Sequence, residues 1–161
     1  MKNKLYIMSG CPGSGKTTYA KKHFPSAKYI SRDEIRFNKI SEEEEYFSKE
    51  DEVFKEFVRE INEGLRASLD VVADATHLNE KSRTKLLYNL SIDKRKTQIE
   101  LICMQTPLKT CIERNENRKG TRSYVPKNIL KRMYYSFKIP NSDEDILDVI
   151  HIIQPYEDKE E

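Results

Sequence analysis

The stretch Gly10-Cys11-Pro12-Gly13-Ser14-Gly15-Lys16-Thr17 decides the fold of this chain. It fits the pattern G-x-x-x-x-G-K-[ST], in which successive backbone N–H groups point inward and cradle a phosphate. Its three glycines let the backbone turn tightly with no side chain in the way. Lys16 would reach the β- and γ-phosphates, and the Thr17 hydroxyl would ligate Mg²⁺. The stretch therefore predicts a P-loop that binds ATP or another nucleoside triphosphate.

Short apolar runs alternate with helical patterns along the chain. The run Leu5–Met8 before the loop is typical of a buried strand, and Pro25 is expected to end the helix after it. The strand candidates are 4–9, 28–31, 70–74, 98–104 and 148–153, and the helical patterns cover 51–66, 79–90, 107–118 and 126–137. This alternation predicts an α/β P-loop NTPase fold with a central parallel sheet of four to five strands flanked by helices.

Length, charge and apolar content indicate a single domain with segregated charge and no membrane-spanning stretch. The 161 residues suit one domain spanning 1–161, with a frayed acidic tail at 154–161. The net charge is only +2, but residues 41–63 carry ten acidic side chains against three basic ones, and residues 109–138 carry nine basic against two acidic. The basic block predicts a local anion-binding face or, alternatively, a solvated helix surface. No apolar stretch approaches the roughly 18 residues of a membrane span, so we expect a cytoplasmic protein.

Two carboxylates follow the second and third predicted strands. The carboxyl ends of parallel strands gather catalytic groups, which would bring Asp33 and Asp74 beside the P-loop. Asp33 is the candidate general base for a hydroxyl acceptor, and Arg36, on the same helical face, can fork onto an acceptor phosphate. Alternatively, Asp33 only caps a helix and pairs with Arg36. Asp74 is expected to hold Mg²⁺ through water or to position the acceptor, or else it forms a turn.

A cluster of arginines predicts a mobile lid over about 114–126. Arg114 and Arg118 are four residues apart and therefore project from one helix face. Gly120 breaks the helix, and Arg122 follows it. Such a segment can close over the triphosphate and neutralise charge in the transition state, whereas the alternative role is surface salt bridging.

Three further features are interpreted as structural or give only weak evidence of a role in the site. Ser41 with Glu44 fits a capping box, so the acidic run 42–45 is expected in the first turn of a helix rather than at a metal site. His77 is interpreted as a polar loop residue. Arg83 can turn toward the site from the helix that follows.

These elements together resemble the bacteriophage-type polynucleotide 5′-hydroxyl kinase domain over most of the chain. The resemblance rests on the P-loop at 10–17, R-D-x-x-R at 32–36, T-x-L-N at 76–79, R-N-x-x-R at 114–118, and Val125-Pro126 followed by 129–134. It implies an ATP-dependent kinase that acts with Mg²⁺ on a DNA or RNA 5′-hydroxyl. The residues implied in catalysis are Lys16, Asp33 and the lid arginine Arg118. Together with the P-loop and lid arguments, this gives as predicted nucleotide contacts Gly10, Gly13, Ser14, Gly15, Lys16, Thr17, Thr18, Arg114, Arg118 and Arg122. The predicted acceptor contacts are Asp33, Arg36 (to a 3′-phosphate, as the resemblance implies), Asp74 and Thr76, and the predicted metal ligands are Thr17 and Asp74.

The chain departs from that pattern in places that leave other functions open. The family's acidic residue would fall at Ala75 instead of Asp74, and His77 replaces an asparagine. No D-x-D-G-T motif is present, so we expect no phosphatase activity. A related kinase could instead phosphorylate a small molecule, a nucleotide sugar as in zeta-type toxins, or a modified-base hydroxyl in DNA. A nucleotide-dependent switch fits less well, because Asn38-Lys39-Ile40-Ser41 lacks the aspartate of N-K-x-D.

Overall fold

A computed structural model of the chain describes residues 1–141, 144 and 146–154. All five predicted strands are present and form one parallel sheet in the order β2-β3-β1-β4-β5. The strands are β1 (Asn3–Ser9), β2 (Lys28–Ser31), β3 (Val71–Asp74), β4 (Thr97–Met104) and β5 (Val149–Ile153). The predicted fold class is therefore confirmed. The sequence predictions for residues 142, 143, 145 and the tail at 155–161 lie outside the described residues.

The helices join consecutive strands or follow one another around the sheet. Within the described residues they are α1 (Lys16–His23), α2 (Arg32–Lys39), α3 (Glu50–Arg66), α4 (Glu80–Asn89), α5 (Leu108–Glu116) and α6 (Lys127–Ser136). The P-loop connects β1 to α1, and α2 follows β2 directly. None of these helices has the length and apolar character that crossing a membrane would require.

Helices cover both faces of the sheet, and successive side chains of β1 point alternately to one face and the other. Leu5 and Ile7 pack with residues of α3 and α4, whereas Tyr6 and Met8 pack with residues at α1 on the other face. The apolar stripe of α3 is buried as its periodicity predicts, and Phe57 is completely covered. Burial of one such side chain contributes about 1.5–3 kcal/mol to folding.

The prediction that a helix begins directly after Ser41 was wrong. Residues 42–49 form turns, and α3 begins only at Glu50. One half of the capping box does exist, because the Ser41 N–H donates to the Glu44 carboxylate at 3.1 Å. This segment instead turns toward α2, where Tyr46 meets Arg36. The contact between Tyr46 and Arg36 joins two segments and cannot be deduced from the local pattern.

Candidate functional site

The P-loop has the backbone geometry that its glycines predict. Gly13 and Gly15 adopt φ values of 81° and 95°, in the left-handed region that favours glycine. A Cβ atom on Gly13 would also lie 2.8 Å from the carbonyl oxygen of Cys111 on α5. The Ser14 hydroxyl is buried and, among the described residues, has no hydrogen-bond partner. A buried hydroxyl without a partner is costly, so it fits a site whose ligand supplies acceptor oxygens.

Asp74 lies at the P-loop, where the strand-end rule predicts it. It is buried at the end of β3, and the Thr17 hydroxyl donates to its Oδ2 at 2.7 Å. The Tyr29 hydroxyl donates to the same oxygen. Burial, followed by the neighbouring Asp74 charge, raises the pKa of Tyr29 and keeps its phenol protonated as a donor.

The pair Thr17 and Asp74 fits a magnesium ion in the donor atoms that it offers. Hydroxyl and carboxylate oxygens are the ligands Mg²⁺ takes in proteins, together with water and phosphate oxygens. In P-loop enzymes the loop threonine and a strand-end aspartate fill these roles. In the described part of the chain no group of three or more His, Cys, Asp or Glu could hold a metal alone. These two residues would therefore hold Mg²⁺ jointly with the nucleotide.

Asp33 is the most exposed member of a network at the start of α2. Its side chain is 53% exposed, and both Arg36 and Tyr46 donate to its Oδ1. The Ser31 side chain caps α2 by accepting from the Glu34 N–H at 3.2 Å, so Asp33 does not perform that task. The expected pairing of Asp33 with Arg36 is present. It leaves the carboxylate open to solvent.

Arg36 itself is buried and fully engaged. Only 4% of its side chain is exposed, and its guanidinium donates to the Glu50 carboxylate at 2.8 and 2.9 Å. Arg32, four residues earlier, donates to the same carboxylate. Arg36 also lies over the Tyr46 ring at 4.1 Å. Its charge is thus balanced within the protein, whereas an arginine awaiting an acceptor phosphate would face solvent.

The predicted lid residues divide into three arrangements. Arg114 donates to the Gly13 carbonyl at 3.1 Å and so lies against the P-loop. Arg122 donates to the Phe37 and Ile40 carbonyls at 3.1 and 2.8 Å, which ties the segment after α5 to the end of α2. Within the described residues, no hydrogen bond or ion pair engages the Arg118 side chain, which remains available for a ligand.

The base of this segment is closed by a single buried side chain. Asn115 donates to the Val125 carbonyl at 2.6 Å and accepts from the Val125 N–H at 3.0 Å. It thereby closes residues 117–124 into a loop between α5 and α6. The loop is made of turns, and Gly120 in it has a φ of 88°.

His77 and Arg83 stabilise the turn after β3 through hydrogen bonds to backbone carbonyls. His77 is buried with a φ of 39°, its Nδ1 donates to the Met8 carbonyl at 2.7 Å, and its Nε2 lacks a partner within the described residues. Burial lowers the pKa of His77 to about 4, so the ring is neutral. Arg83 donates to the His77 carbonyl and pairs with Glu144 at 2.8 Å. His77 is thus a polar residue of the loop after β3, as interpreted from the sequence, and it is buried there. Arg83 holds the same turn without reaching the P-loop.

Sequence reasoning missed three members of the site: Tyr29, Tyr46 and Glu50. Tyr29 and Tyr46 carry no local motif. A signal for Glu50 does exist, because two arginines one turn apart on α2 require a carboxylate if they are to be buried. The sequence offers ten acids in 41–63, and nothing local distinguishes the one at the start of α3.

Comparison with known proteins places the chain in a family. A family model of the AAA domain, AAA_33, matches residues 5–140. The chain belongs to this AAA domain family. No curated protein sequence matches it significantly.

Solved structures share the fold at low sequence identity. A chain of the Pnkp1/Rnl/Hen1 RNA repair complex aligns with a TM-score of 0.70 and 20% identity over 84% of this chain and 44% of its own. A sugar kinase from a Janibacter species aligns with a TM-score of 0.66 and 15% identity, over 96% of this chain and 86% of its own. Kti12 from Chaetomium thermophilum, in complex with ADP-AlF3, aligns with a TM-score of 0.67 and 16% identity, over 96% of this chain and 91% of its own. The AAA domain described here thus spans under half the length of the repair-complex chain. These likenesses show the fold alone, a parallel sheet with a P-loop, and leave the reaction open.

Proposed function

We propose that this AAA domain is a kinase that transfers the γ-phosphoryl group of ATP, or of another nucleoside triphosphate, to the 5′-hydroxyl of a polynucleotide. The observation that carries the proposal is that the polar side chains of the candidate site follow neighbouring strands at the same carboxyl end of the sheet. Thr17 and Asp74 lie at the phosphate cradle, and Asp33 begins the helix that follows the neighbouring strand β2.

On the donor side, the protein supplies a cradle for the triphosphate. Backbone N–H groups of the loop, the Lys16 ammonium and the Ser14 hydroxyl would contact the phosphate oxygens. Lys16 now donates to the Cys11 carbonyl at 3.2 Å, a weak contact that it can exchange for phosphate. Mg²⁺ held by Thr17 and Asp74 would neutralise charge on the β- and γ-phosphates.

On the acceptor side, Asp33 would take the proton of the attacking hydroxyl. The acceptor oxygen forms a bond to the γ-phosphorus, the bond from that phosphorus to the bridging oxygen breaks, and the nucleoside diphosphate leaves with the electron pair. Arg36 and Tyr46 hold the carboxylate in place, so little reorganisation is needed when the proton arrives. Arg118 would approach the transferred group from the lid.

The polynucleotide acceptor is supported by the motif set and by its placement. R-D-x-x-R begins α2, and R-N-x-x-R ends α5 above the P-loop, as the resemblance implies. The first structure named above also comes from an RNA repair complex. A second candidate is a small neutral hydroxyl acceptor such as a sugar. It is favoured by the surroundings of Arg36, whose positive charge is already paired with the carboxylates of Asp33 and Glu50.

A phosphate-transfer assay separates these candidates. The purified protein is incubated with γ-labelled ATP, Mg²⁺ and either a 5′-hydroxyl oligonucleotide, the same oligonucleotide already phosphorylated at its 5′ end, or a panel of sugars. We expect label only in the 5′-hydroxyl oligonucleotide. Label in a sugar and none in the oligonucleotide would establish the second candidate.

A further inference from the structure

Phe47 is an exposed aromatic ring beside the candidate general base. It is 65% exposed and meets the Tyr46 ring edge-on, with ring centroids 4.7 Å apart and planes at 86°. Tyr46 in turn donates its hydroxyl to Asp33 and lies beneath the Arg36 guanidinium. One aromatic ring therefore separates Phe47 from the carboxylate that would receive the acceptor proton.

The fold makes little use of this phenylalanine. None of the core clusters in the described part of the chain includes Phe47, whereas Phe54 and Phe57 of the following helix pack into the core. The Phe47 ring contacts Tyr46 edge-on and lies 5.7 Å from the Arg36 guanidinium. Both are contacts of a ring that is largely exposed, so its loss should change stability only modestly. One face of this ring beside the candidate site therefore remains largely open to solvent.

The charges around Phe47 indicate what kind of group it would contact. Arg32 and Arg36 are balanced by Asp33 and Glu50, so the network has no net charge. The acidic side chains of 42–45 precede Phe47 on the same turn segment and are exposed. An anion is not attracted to such a surface. A flat, uncharged ring that stacks is compatible with it, and base–aromatic stacking contributes about 1–3 kcal/mol per base.

We propose that Phe47 is the stacking platform for the base of the acceptor's 5′-terminal nucleotide. The proposal rests on the polynucleotide kinase function proposed above and adds a recognition mode to it. The terminal nucleoside is held by its neutral base on Phe47, which directs its 5′-hydroxyl toward Asp33. The phosphates of the rest of the oligonucleotide then extend toward the basic block at 109–138, away from the acidic turn.

The test compares two 5′-hydroxyl oligonucleotides that differ only in their first residue, which carries a base in one and is abasic in the other. Phe47→Ala should raise the KM for the base-bearing oligonucleotide by about 5- to 150-fold, the equivalent of one stacked base. The KM for the abasic one should stay within about twofold, and Phe47→Trp should restore the base-bearing value. Tyr88→Ala, which removes an 88% exposed ring on α4, is the matched control and should change neither.

A binding measurement keeps the proposal independent of turnover. A 5′-terminal 2-aminopurine should lose fluorescence on binding the native protein and keep it with Phe47→Ala. That result without any transfer to oligonucleotides would support the platform and refute the kinase function. Equal quenching by both proteins would overturn the platform. An equal rise in KM for the base-bearing and abasic oligonucleotides would overturn it too, because Phe47 would then contact something other than the base.

Discussion

Asp33, the proposed general base, is held in position by its neighbours. Its carboxylate combines solvent exposure with two hydrogen bonds that fix it in position. Asp33→Asn preserves the shape and the acceptor oxygen but removes the base, so we expect kcat to fall by about 10²–10⁴-fold. The affinity for ATP, measured by titration calorimetry, should not change. Glu34→Gln, one residue away on the same turn, is the control and should retain activity. A kcat of Asp33→Asn within twofold of native would remove Asp33 from the mechanism.

His77 provides a pH-dependent contribution to stability. Its folded-state pKa of about 4 lies below the ordinary value of 6.5, so the unfolded chain takes up the proton first as the pH falls. The contribution is complete above pH 6.5 and is lost toward pH 4, by about 3 kcal/mol in total. Asparagine tolerates the positive φ and does not titrate. Urea unfolding should therefore show that His77→Asn loses less stability than the native chain between neutral pH and pH 4. Parallel losses in the two proteins would contradict this assignment.

At the scale of elements, α5 and the loop that follows it are held at three places. Among the described residues this leaves the Arg118 side chain without a hydrogen bond or ion pair. Arg114 contacts the P-loop, Arg122 contacts α2, and Asn115 closes the base. Arg118 is thus carried by a positioned loop with its guanidinium available. Arg118→Ala should reduce kcat by about 10³-fold or more while ATP still binds, because the arginine would act on transition-state charge. Lys119→Ala, next in the chain and highly exposed, is the control. A twofold change in kcat for Arg118→Ala would exclude the lid role.

The elements themselves were largely predictable from the sequence, because each strand and helix carries a local signal. The apolar run of β1, the period of α3 and the prolines before α5 and α6 act within a few residues, and all agree with the structure. Asp74 was also placed correctly by topology alone. The turns at 42–49 and the pairing of Arg36 with Glu50 were not predictable, because both depend on contacts between α2 and a segment about 14 residues away. Local patterns cannot choose between one carboxylate and its many acidic neighbours.

At the scale of the whole molecule, the charge is divided between two regions. The acidic 41–63 segment surrounds the start of α3, and the basic block runs from α5 through α6. A polynucleotide that approaches a nearly neutral molecule would therefore be oriented by this division and not by net charge. Its 5′ end would meet Asp33 on the acidic side while its phosphates follow the basic one.

This division predicts that residues of α6 account for part of the salt dependence of oligonucleotide binding. Lys131 and Arg132 are exposed there, and each phosphate contact with a single strand contributes about 0.7 to the slope of log affinity against log salt. Lys131→Gln with Arg132→Gln should reduce that slope for a 5′-hydroxyl oligonucleotide by about 1.4, raise its KM at low salt and leave kcat unchanged. Lys2→Gln with Lys22→Gln removes the same charge outside the basic block and is the matched control. If both double variants change the slope equally, the oligonucleotide responds to total charge alone, and the basic block does not guide it.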